Sequence, residues 1–152
     1  MHTYARAVLI LLFALLASCT LHASKQDPDK AAVSAVAFAK AALIERDMNK
    51  AYAMLDAEVQ SNSPKEKFSE IVLKMASDKA PTNVTATDFE PIGGAEMMNI
   101  YLVGETNGEK FYYRVPMRGD SQKGYKPVGI LRGNYAPSES RHAFQNPVSS
   151  GR

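Results

Sequence analysis

With 152 residues, 45% of them hydrophobic and 22% charged, the chain is long enough for one compact domain that buries its own core. Its 18 Lys and Arg against 16 Asp and Glu leave it near neutrality, with the two signs alternating rather than clustering, which argues against a nucleic-acid partner. A single cysteine leaves no material for an intramolecular disulfide, a thiolate metal cluster or a cysteine redox pair.

The N-terminus carries one charged side chain, Arg6, before a run from Ala7 to Ala17 that holds no polar residue. A helix crossing the ~30 Å apolar core of a bilayer needs about 20 residues, so this run reads as the n-region and h-region of a signal segment rather than a permanent span. It ends at Leu16-Ala17-Ser18-Cys19. At all four positions this stretch resembles the processing box of bacterial lipoproteins. The resemblance implies that residues 1–18 are removed and that Cys19 is diacylated on sulfur, becomes the N-terminus and is acylated on nitrogen. One acyl chain binds a bilayer only marginally, whereas two or three hold stably, so the lipids on Cys19 would suffice as an anchor. With Thr20 rather than Asp at the second mature position, the resemblance to such lipoproteins further implies transfer to the outer membrane, facing the periplasm. An ordinary signal peptide cut near Ala23, releasing a secreted protein, is the alternative.

Residues 19–29 lack apolar periodicity and read as a tether, residues 30–135 as one folded domain, and residues 136–152 as a disordered tail rich in Ser, Pro and Asn. Within the domain, Asp27-Pro28 or Asp29 opens a first helix over Ala31 to Arg46, Ala-rich, with Val33, Val36, Phe38, Leu43 and Ile44 on a broad apolar surface. Asp47 caps a second helix that carries Ala51, Tyr52, Leu55 and Val59 at helical spacing. Ser63-Pro64-Lys65-Glu66 has the form of a capping box for a third, with Phe68, Ile71, Val72 and Met75 turned inward.

Beyond Pro81 the pattern changes to strands. Asn107-Gly108 between two β-rich runs predicts a type I′ hairpin with Thr106 opposite Glu109, Tyr101 opposite Arg114 and Leu102 opposite Tyr113. That register also puts the apolar residues of both strands on one face. Val84 to Glu90 and Tyr125 to Arg132 supply two more strands, giving an α+β fold of three N-terminal helices on a curved four-stranded antiparallel sheet.

This layout, with Phe38-Ala39-Lys40-Ala41, Arg46-Asp47 before Lys50-Ala51-Tyr52-Ala53-Met54-Leu55, and Ser63 to Phe68, resembles the nuclear transport factor 2-like superfamily over residues 30–132. The resemblance implies a cone-like sheet around the helices, often with a cavity at its open end, and no particular reaction.

Acid–base equipment is sparse. His2, His22 and His142 all fall outside the expected domain, which disfavours a histidine base or a metal site there. Asp88 and Glu90 share one face of a regular strand, where a buried carboxylate with a raised pKa would suit proton transfer; a solvated strand face is the plainer reading. Tyr101, Tyr112 and Arg114 form an aromatic and cationic patch suited to a partner or to an anionic or carbohydrate ligand, or else simply stabilise the hairpin. Tyr113, Phe111, Met98 and Met117 read as core. The sequence therefore points to a non-catalytic, lipid-anchored envelope module that binds another envelope protein without a cofactor. A small-ligand carrier or sensor is the alternative, and an enzyme is less favoured.

Overall fold

The computed structural model describes residues 26–76, 79–93 and 96–151; the signal segment, Cys19, His22 and most of the tether lie outside them. Helices precede an antiparallel sheet, so the α+β expectation holds, but the described residues form four α-helices and six strands rather than three and four. α1 spans Pro28–Ala39 and runs into a π-helical turn, Lys40–Ile44; α2 is Met48–Met54, α3 Ala57–Asn62 and α4 Lys65–Met75. The strands are β1 Asn83–Ile92, β2 Met97–Thr106, β3 Glu109–Asp120, β4 Gly124–Pro127, β5 Leu131–Arg132 and β6 His142–Ser149.

Asp27 caps α1 by accepting the Lys30 amide, with Pro28 in the first turn, so the folded body begins inside the expected tether. Ala31, Ala32, Ala35 and Ala39 are fully buried, and their small side chains let α1 lie close against β1, β2, β3, β4 and β6. Val33 belongs to the other face and is 56% exposed.

The expected second helix is two. Leu55 is extended at its break, and the Asp56 amide donates to the Pro127 carbonyl while the Asp56 carboxylate accepts from Arg118, pinning the break to the sheet. Gln60 Nε2 lies within hydrogen-bond distance of the carbonyls of Tyr52, Ala53 and Leu55 and so helps to cap the broken helix end. The capping box at Ser63 does not form: Ser63 instead ends α3, with its amide bonded to Val59 and its carbonyl accepting the Tyr52 hydroxyl, and Pro64 starts α4 without a side-chain cap. α4 buries Phe68 and Val72, whereas Ile71 is half exposed.

The sheet order is β4-β3-β2-β1-β6, with β5 also paired to β3. The hairpin has the expected register throughout, and Asn107 and Gly108 both adopt positive φ, 48° and 81°. The expected last strand is divided into β4 and β5. The segment expected to be a disordered tail instead supplies β6, an edge strand pairing Ala143 with Asp88 and Val148 with Ala86. Its two large apolar residues explain why it folds: Phe144 is buried with its ring 5.0 Å from that of Phe89, and Val148 packs against the core. Ser150 finishes the ladder, its amide donating to the Val84 carbonyl and its hydroxyl accepting the Val84 amide.

Phe38, Leu43, Met98, Ile100, Tyr113 and Met117, each almost wholly buried, fill the space between the helices and the sheet. The core leaves no room at Gly104, where an added Cβ would lie 2.8 Å from the Tyr113 ring and 3.0 Å from Pro81 Cβ. Gly104→Ala should therefore lower stability by about 1–3 kcal/mol in urea denaturation, the cost typical of overpacking. Gly93→Ala, with nothing within 4 Å of the new methyl group, should leave it nearly unchanged.

Candidate functional site

Along β1, Val84 and Ala86 face the core. One more regular step would send Asp88 and Glu90 in beside them. A bulge between Ala86 and Asp88 adds one residue, Thr87, on β1 and reverses the alternation, so that Phe89 turns toward the core cluster while Asp88 and Glu90 join Tyr101 and Asn99 on the opposite face. The two carboxylates do share a face, as the sequence suggested.

On that face the chain's own C-terminal segment covers the Tyr101 part of the expected patch. Glu90 Oε2 accepts from the Tyr101 hydroxyl at 2.6 Å and from Asn99 at 3.3 Å, and Oε1 accepts from Ser138 at 2.6 Å and Ser140 at 2.7 Å. Asp88 binds Arg141 at 3.0 Å and accepts from Thr87 at 2.7 Å. The Arg141 guanidinium lies 4.0 Å above the Tyr101 ring, and Tyr135 meets the same ring edge-on with centroids 5.6 Å apart. Tyr101 is consequently buried, at 6% exposure.

The donors around Glu90 stabilise its ionised form and hold it down at about 2, from an ordinary 4.5, with the Ser138 hydroxyl the largest cause. This is the reverse of the raised value expected for a proton-transfer carboxylate, and it makes Glu90 a weak base near neutral pH. Burial raises Tyr101, reinforced by the hydrogen bond that its hydroxyl gives to the charged carboxylate.

Arg114 sits opposite Tyr101 in the ladder, as expected, but the cation over Tyr101 is Arg141. Arg114 instead lies 5.2 Å from the Tyr135 centroid, and its buried Nε has no hydrogen-bond partner among the described residues. Tyr112 is 44% exposed, and Leu131, which pairs with Arg114 from β5 and is 43% exposed, stands diagonally beside it. Sequence reasoning missed Leu131, Tyr135 and Arg141, because only the fold of the C-terminal segment brings them to this face. His142 also lies within the folded body, exposed on β6 and 5.4 Å from the Phe89 ring. Tyr113, Met98 and Met117 are core, and Phe111 is partly buried under Arg132.

A depression of about 240 Å³ lies among Asp88, Tyr101, Tyr112, Tyr135 and Arg141. That is smaller than the roughly 300–1,000 Å³ usual for small-molecule sites. Compared with protein-family models, curated proteins and solved structures, the chain matches none.

Because Glu90 titrates lower in the folded protein than in the unfolded chain, its stabilisation is complete above about pH 4.5 and is lost as the pH falls toward 2. Glu90→Gln should lower the urea midpoint at pH 7, and the gap from the native chain should narrow steadily between pH 4.5 and 2. A gap equally wide at pH 7 and pH 3 would show that the carboxylate's charge does not hold the C-terminal segment.

Proposed function

We propose that this protein is a bacterial lipoprotein, anchored through acylated Cys19 to the outer membrane and facing the periplasm, whose nuclear transport factor 2-like domain binds another envelope protein without catalysing a reaction. The observation that carries the binding role is the cluster of Tyr112, Leu131 and Arg114. Two large apolar side chains stand in solvent beside a guanidinium with no carboxylate or carbonyl acceptor among the described residues. Aromatic and arginine side chains are the types that concentrate binding energy at protein interfaces.

Two further features favour surface recognition over the alternatives. Bulky side chains fill the interior between the helices and the sheet, where a ligand enclosed by a cone would sit. The carboxylate most enclosed by donors, Glu90, is committed to the C-terminal segment and held ionised. The partner surface is therefore expected to offer an acceptor to Arg114 and an apolar recess to Tyr112 and Leu131.

The double substitution Tyr112→Ala and Leu131→Ser should reduce crosslinking recovery of the dominant envelope partner by on the order of tenfold or more, the scale of interface hot spots. Stability should change by less than about 1 kcal/mol, because both side chains are half exposed. Undiminished recovery would remove this patch from the binding role. Cys19→Ala should independently shift the protein out of the membrane fraction, and intact mass of the native protein should show acyl groups at that residue.

A further inference from the structure

The chain enters α1 at the rim of an open groove. The Asp27 amide donates to the Tyr125 hydroxyl, and Tyr125 lines the groove wall. The groove measures about 550 Å³ and lies between the two edges of the sheet, with Val33 of α1, Tyr125 of β4 and Val148 of β6 as its apolar parts. Asp29, Lys30 and Asn146 supply its polar margin. Val33 is the most exposed large hydrophobic residue described, on a helix whose other face is buried alanine. A groove that is apolar inside and polar at its rim suits a slender hydrocarbon better than a folded surface.

The position of the tether identifies the hydrocarbon. Cys19 precedes Gln26 by seven residues, which span at most about 25 Å when extended. The twelve residues of α1 rise about 18 Å along the helix axis. Acyl chains on Cys19 can therefore double back over the whole length of α1, and their covalent attachment gives them a high effective concentration at the groove.

We propose that this groove holds one acyl chain of lipidated Cys19, folded back from the anchor onto the domain between the two sheet edges. The inference rests on the lipoprotein reading given above. Chains left in the bilayer keep the protein at the membrane, while the sequestered one weakens that hold toward the reversible binding of fewer chains.

The test uses the full-length protein expressed in bacterial envelopes with a photoreactive benzophenone side chain in place of Val33, and in a second version in place of Val148. A third version carries it at Ile71, which is equally exposed but lies on α4. After irradiation, mass spectrometry should find positions 33 and 148 joined to the acylated Cys19 peptide of the same molecule. The yield should exceed that at position 71 on the order of tenfold, as expected of an intramolecular ligand. Equal yields at all three positions, crosslinks only to phospholipid or to another protein, or no crosslink at all would overturn the inference while leaving the anchor intact. An unmodified Cys19 in the same spectra would overturn the lipoprotein reading itself, so the two failures are distinguishable.

Discussion

The parity of β1 is the constraint on which the rest depends. Side chains of a strand alternate strictly, and Val84 and Ala86 are fully buried in the core, so a regular continuation would drive two carboxylates into a space packed with Ile100, Leu102 and Met98. Burying an unpaired carboxylate is far more costly than disturbing one ladder position. The bulge at Thr87 resolves the conflict, and in turning Asp88 and Glu90 outward it creates the acceptors that bind Ser138, Ser140 and Arg141. The path of the C-terminal segment thus follows from a local defect in β1.

That path accounts for the difference between the expected patch and the observed one. Arg141, supplied by the C-terminal segment, takes both the face of Tyr101 and the charge of Asp88. Arg114 is left with an aromatic neighbour and no ion pair among the described residues, beside two hydrophobic side chains that the segment does not cover. The C-terminal segment occupies one half of the tyrosine and arginine face and leaves open the half bounded by β3 and β5.

The parts of the fold legible in the sequence are those decided within a few residues. The β2–β3 hairpin needed only turn residues able to adopt positive φ and a matching period of two, and its register was readable throughout. Asp47 was a readable cap for the same reason, and Asp27 was one of two candidate starts for α1. The bulge also left a trace, since apolar side chains at 84 and 86 give way to one at 89, but a strand read as regular hides it. What was not legible depended on distant contacts. The break at Leu55 is held by a bond from Asp56 to Pro127, and the false capping box at Ser63 reflects a carbonyl already engaged by Tyr52. Tertiary demand overrode local preference at both places.

β6 is the sharpest case. Its composition is that of a loop, with Asn146, Pro147 and Ser149, and no periodicity would identify it as a strand. Yet β1 presents an edge to be paired, and the C-terminal segment answers with only the residues that matter there: Phe144 for the ring of Phe89, Val148 for the core, and Ser150, just past β6, for the backbone amide and carbonyl of Val84. The four residues from Phe144 to Pro147 fall between the two paired segments, so Pro147, which has no amide hydrogen to give, interrupts no ladder bond. An edge strand built from a few anchors and interrupted by proline covers the rim of β1 while remaining a poor template for pairing with another chain.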